Sequence, residues 1–155
     1  MKIYYNSKIA KATTFLADFV TIMLFGAVFT EESKLSDRVK FHEASHVEQY
    51  QTLFGAGLAL AVGIMFTCFA FDHYGWWMLS LAALPVFLYY LWYGIEFLIR
   101  FCMYRDRDKA YHEIVFEREA YSLENEYRKP CSERKSASSF SFVEYYGKKQ
   151  SDIRW

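Results

Sequence analysis

Residues 41–71 read FHEASHVEQYQTLFGAGLALAVGIMFTCFAF, and the fold follows from how this stretch is read. Its opening, Phe41 to Gln49, contains His-Glu-x-x-His. Residues four apart lie on one face of a helix, so His42 and His46 present two imidazoles to one metal ion. Glu43 then stands where a general base can reach a water activated by that ion. Gln49, three residues after His46, is a candidate to support it. The motif is short, and two histidines on an exposed helix face would look the same. It needs a helix and a third ligand. The helix is supplied by the rest of the stretch: from Thr52 to Phe71 there are twenty residues without a charge, enough to cross about 30 Å of hydrocarbon. Ser36 is a good N-cap and Asp37 favours the first turn. One helix over 36–71 is therefore expected, running from the histidines into a bilayer. Gly55, Gly57 and Gly63 along it permit close approach of a second helix.

Downstream, Asp72-His73-Tyr74 is a polar turn. A second span is expected over 75–104, since Gly75–Ile95 is again uncharged and twenty-one residues long. Trp76 and Trp77 at one end, and Trp92 and Tyr93 near the other, suit interfacial aromatic belts. Pro85 predicts a kink. Glu96 and Arg100, four apart, are expected to pair. The two spans form a hairpin whose ends emerge on one side. That side carries Lys34, Arg38 and Lys40 before the hairpin and Arg100, Arg105, Arg107 and Lys109 after it, whereas the turn has no Lys or Arg. The positive-inside trend places both termini in the cytoplasm.

Upstream, residues 1–35 form an N-terminal strand region. Phe19 to Thr30 is rich in Val, Ile, Phe and Thr and reads as one or two strands or a hairpin at the membrane surface. A third span over 13–30 is the rival reading, but Asp18 would be costly inside it. The start, Met1 to Tyr5, has no apolar stretch of the kind a cleavable signal peptide carries. Composition agrees with a membrane protein: 54% hydrophobic and 21% aromatic, with a net charge of +0. That charge gives no pull toward nucleic acid. The three cysteines are scattered and suggest no disulfide framework. At 155 residues the chain reads as a single integral membrane domain. It is mainly α, a membrane helical hairpin with cytoplasmic helices and a small N-terminal β element. No internal repeat is found.

After the charged exit at Arg105–Lys109, residues 110–128 read as a helix that Pro130 ends. The hairpin returns this helix to the face from which His42 and His46 emerge. Two carboxylates compete for the third ligand position, Glu117 and Glu119. They lie about 200° apart around a helix and cannot both face one metal. Glu117 shares its face with Glu113 and with Ala120, which is small enough for close packing. Residues 130–155 form a polar tail with aromatics at Phe140, Phe142, Tyr145 and Tyr146, expected to be loosely folded with one short element resting on the domain. His73 reads as a turn residue and His112 as exposed.

His42-Glu43-x-x-His46, a transmembrane hairpin and Glu117-x-x-Ala120 together resemble the membrane-embedded gluzincins, such as the HtpX heat-shock protease and the CAAX prenyl protease. The resemblance implies His42, His46 and Glu117 as ligands of Zn²⁺ and Glu43 as the base. The chain departs from that pattern at Tyr121, where those proteases carry an Asp that supports the site. Glu113 and Tyr121 are the candidates here for that supporting role, beside Gln49. A longer stretch is similar to small inner-membrane proteins of Bacteroidetes. The shared pattern is His42 to Gln49, then Tyr90-Leu91-x-Tyr93-x-Ile95-Glu96, Ala110-Tyr111 and Phe116-Glu117-Arg118-Glu119-Ala120-Tyr121. This resemblance implies a two-span protein of a bacterial inner membrane.

Two functions are then expected from different classes. The first is a zinc-dependent metallopeptidase acting on protein or peptide substrates at the cytoplasmic face, with residues 19–30 binding an extended substrate by edge addition. The second is a non-catalytic membrane protein with a structural zinc site, serving as a complex subunit; the chain is small for a protease. In a lipid-binding or assembly subunit, Phe140 to Tyr146 would be the contact surface.

Overall fold

The computed structural model describes residues 1–17 and 20–148. Asp18 and the end of the tail lie outside the described residues. The molecule is mainly helical with a three-stranded N-terminal sheet. It packs as two compact units, one made of Met1–Gln49 with the chain from Val115 onward, the other of Tyr50–Ile114.

In the first unit, β1 (Lys2–Tyr4), α1 (Lys8–Ala17), β2 (Thr21–Leu24) and β3 (Ala27–Thr30) come first. The strand order is β1-β3-β2. β1 pairs parallel with β3, setting Ile3 opposite Val28, and β2 pairs antiparallel, setting Met23 opposite Val28. Val28, Met23 and Ala10 are buried. The expected hairpin is present, its tip at Phe25 and Gly26 with φ of 51° and 77°, the paired positive values that a tight two-residue hairpin turn requires. The strand reading of 13–17 is corrected: these residues close the helix α1. Ser7 starts that helix by accepting from the Ile9 amide through Oγ, and Ile9-Ala10-Lys11-Ala12 continues it with good helix formers.

α2 spans Asp37–Ala70. Ser36 caps it through Oγ, accepting from the Val39 amide. Its charged first part, up to Gln49, belongs to the first unit, where Val47, Ser45, His46 and Gln49 are buried. α5 (Val115–Leu123) is the centre of this unit, and seven of its residues are buried, charged ones included. The tail forms short 3₁₀ turns at Cys131–Glu133 and Ser141–Tyr146, and the second of these packs on α5. Phe142 packs edge-on against Phe116 at 4.8 Å, and the Ser122 and Tyr145 hydroxyls lie 2.6 Å apart. The tail thus rests on the domain through one short element, as expected, with Phe142 turned inward against α5.

In the second unit, the apolar part of α2 runs beside a 3₁₀ segment, Trp76–Ala82, and α3, Ala83–Tyr104. Pro85 lies where the 3₁₀ segment gives way to α-helix. It sits in the first turn of α3, where its missing N–H is no loss. Of the three glycines, only Gly57 meets the neighbouring helix: a Cβ there would lie 2.7 Å from the Pro85 Cα, while Gly55 and Gly63 have nothing within 4 Å. The buried residues Tyr50, Leu53, Gly57 and Ala61 recur every three or four positions and form the contact stripe. Tyr50 meets Tyr89 and Tyr90 at 6.0 and 5.9 Å between ring centres. Both helical segments, Asp37–Ala70 and Trp76–Tyr104, are long and apolar enough to cross a membrane, and only 17% of each apolar stretch is buried.

Glu96 and Arg100 pair as expected, with Arg100 Nε 2.8 Å from Glu96 Oε1. The helix expected over 110–128 is broken. α4 (Arg107–His112) ends before Glu113, α5 begins at Val115, and a further turn covers Glu126–Arg128. Neither Gly nor Pro marks this break. The adjacent β-branched Ile114 and Val115 are weak helix formers, and both are buried.

Candidate metal centre

α2 and α5 bring His42, His46 and Glu117 together, with one ligand atom of each within 4.8 Å of the others. His42 Nε2 lies 3.1 Å from His46 Nε2. Glu117 places Oε2 3.3 Å from His42 Nε2 and Oε1 3.3 Å from His46 Nε2. The carboxylate meets the two imidazoles through different oxygens, and two imidazoles with one carboxylate are a donor set that could hold a metal ion.

The partners of His46 decide which nitrogen faces the cluster. Gln49 donates through Nε2 to the Phe116 carbonyl at 3.0 Å and to Glu119 Oε2 at 2.8 Å. Its Oε1 is thereby turned to His46 Nδ1, 3.0 Å away. An amide oxygen only accepts, so His46 carries a proton on Nδ1 and points the Nε2 lone pair into the cluster. Glu119, the rival third ligand, thus supports the site instead of binding in it. Gln49 is placed where the sequence suggested.

The charges here are tightly coupled. All lie in α5 or in the charged part of α2, before the apolar stretch that begins at Thr52. Burial disfavours a charge on His46, but the adjacent Glu117 carboxylate and the contact from Gln49 outweigh it and push the imidazole up to about 9. Burial would raise Glu117, yet His46 and His42 hold it well below the usual carboxylate range. The charged forms of His46 and Glu117 thus favour each other. Burial also pushes the Glu43 carboxyl up, against the pull of His46 and His42 and with a push from Glu117. Tyr121 packs edge-on against the His42 ring at 4.7 Å. Burial, with Glu117 and Glu124 nearby, raises its hydroxyl to about 12.

Glu113 belongs to the other unit, where its carboxylate lies 3.7 Å from Arg100 Nη1. His73 is exposed in its turn, with Nδ1 2.6 Å from the Phe71 carbonyl oxygen. His112 Nδ1 lies 2.7 Å from the Asp108 carbonyl oxygen. Sequence reasoning missed Arg38 and Glu124, which pair beside His42. Their signal was present: Arg38, His42 and His46 recur every four residues, and Glu117, Tyr121 and Glu124 recur at four and three. Compared with protein-family models, curated proteins and solved structures, the chain finds no match.

Proposed function

We propose that this protein is a zinc-dependent metallopeptidase of the gluzincin type, held in a bacterial inner membrane by two spans with its site at the cytoplasmic face. The observation that carries the reading is the triangle of His42, His46 and Glu117 with the buried carboxyl of Glu43 on the same helix. The two imidazoles, through Nε2, and the Glu117 carboxylate hold the ion. Zn²⁺, when bound, supplies Lewis acidity toward water and toward a scissile carbonyl. Glu43 takes a proton from the attacking water and returns it to the leaving amine. Its raised proton affinity suits that task better than an exposed carboxylate would. β1 and β2 are the edges of the sheet, and an extended peptide adds to such an edge through main-chain hydrogen bonds.

The test pairs the wild type with Glu43→Gln, expressed in membranes, and follows cleavage of the protein itself and of membrane substrates. Loss of a general base lowers the rate by about 10²–10⁴-fold; equal cleavage by the two forms removes the catalytic reading. Metal analysis runs beside it. Glu117→Ala is expected to lose the ion, and Glu119→Ala to hold it about 10–100-fold more weakly, because Gln49 loses its anchor.

A specific observation favours a second reading, a structural zinc that pins α2 to α5. Glu117, His46 and Glu43 are only 2%, 6% and 8% exposed, so substrate reaches them only if the site opens. One tightly held zinc that leaves in His42→Ala, with no proteolysis in the wild type, supports this second reading.

A further inference from the structure

His42 turns Nε2 into the cluster, so its other nitrogen points out of it. That nitrogen, Nδ1, lies 4.0 Å from Glu124 Oε2. Glu124 is buried just past the end of α5. A buried carboxylate needs a partner, and Arg38 provides one: its Nη2 holds Oε1 of Glu124. Arg38 stands one turn before His42 on α2, on the same face. Its grip on one oxygen leaves the other facing the histidine.

We propose that Glu124 is the positioning carboxylate of His42, taking up the Nδ1 proton in a hydrogen bond and so reserving the Nε2 lone pair for the metal. The proposal rests on the metal-centre reading above. It gives His42 what Gln49 and Glu119 give His46, so each imidazole has its own support from α5 or the residue after it. It also accounts for Tyr121. This chain sets an aromatic edge against His42 at that position, and the carboxylate comes from the next turn. The present 4.0 Å is a charge contact, not a hydrogen bond; about 1 Å of carboxylate rotation closes it.

The full chain, purified in detergent and stripped of metal, is titrated with Co²⁺ and then with competing Zn²⁺. Wild type, Glu124→Gln and Glu126→Gln are compared by affinity and by the visible cobalt spectrum. Glu126 is the control: it is also buried, but it bonds Lys129 and the Lys135 amide. Glu124→Gln is expected to weaken binding about 10–100-fold and to shift the cobalt bands, while Glu126→Gln does neither. A purely structural role for Glu124 would lower thermal stability and leave the spectrum in place. Wild-type affinity and spectrum in Glu124→Gln overturn the proposal and leave the metal centre standing. A wild type that takes up neither ion removes the centre, and the proposal with it. Should Glu124→Gln fail to fold, the zinc-loaded wild type still decides. With only four histidines, ¹⁵N-histidine spectra are expected to show His42 bound through Nε2 with its Nδ1 proton protected from exchange. Binding through Nδ1, or an Nδ1 proton that exchanges freely, overturns the assignment.

Discussion

At His46 a proton and any bound metal ion would compete for the same lone pair, which makes the proposed site's response to pH specific in sign. In the metal-free protein the imidazole is raised from 6.5 to about 9. Its contribution to stability is therefore full below about 6.5 and is lost as pH rises through about 9. Glu117 is lowered from 4.5, so its contribution is full above about 4.5 and is lost on further acidification. Metal-free protein should be most stable between those limits. Zinc acts oppositely, because it needs the imidazoles deprotonated. The gain in melting temperature on adding saturating zinc should grow from pH 6 to pH 9; a gain that stays level or shrinks would sink the shared-site account. The cluster was legible in part: a spacing of four on a helix puts His42 and His46 on one face, while spacing left both Glu117 and Glu119 open for the third position. The supporting residues were less legible. Gln49 was visible three residues after His46, but Glu119 and Glu124 depend on where α5 begins and how it is rotated.

Among the elements, the glycines of α2 separate what spacing can tell from what packing decides. All three are equally suited to close helix contact by composition, and their positions relative to the partner helix depend on where α3 starts. Gly57 faces Pro85, so a methyl group there must displace backbone. Gly57→Ala is expected to destabilise the detergent-purified protein by about 1–3 kcal/mol, as overpacking does. Gly55→Ala and Gly63→Ala meet open space and should be neutral or stabilising by up to about 1 kcal/mol, the ordinary preference for Ala in a helix. Thermal melts of the three variants check this; an equal loss in all three would mean that the helices meet along another face. The same dependence on tertiary context explains α1 and the tail. Thr13 and the apolar residues after it have strand character by type, yet Ser7 and the alanines before them start a helix that carries through. The tail is polar in composition, and Phe142, its one fully covered aromatic among the described residues, packs on Phe116, a residue 26 positions away. Local composition carries no trace of such a pairing.

For the molecule as a whole, the two apolar segments were legible because span length is set by the bilayer and not by neighbours. Which side the ends occupy is a matter of charge. Seven Lys and Arg residues flank the hairpin, at positions 34, 38, 40, 100, 105, 107 and 109, and none lies in its turn. The positive-inside trend predicts that these flanks are cytoplasmic, and the first unit, which holds the His42, His46 and Glu117 cluster, would then lie there too. Cys131 reports on that unit: it is a free, exposed thiol and belongs to the part of the chain that packs with α5. Cys68 and Cys102 lie within the apolar helices, and replacing both by Ala leaves Cys131 as the one thiol to label. A membrane-impermeant maleimide applied to cells whose outer membrane has been opened should leave Cys131 unmodified, and should modify it once the inner membrane is also breached. Labelling before that breach would put the cluster outside the cytoplasm. Any substrate would then have to be sought on that other side, and the charge asymmetry of the hairpin would not be what orients the chain.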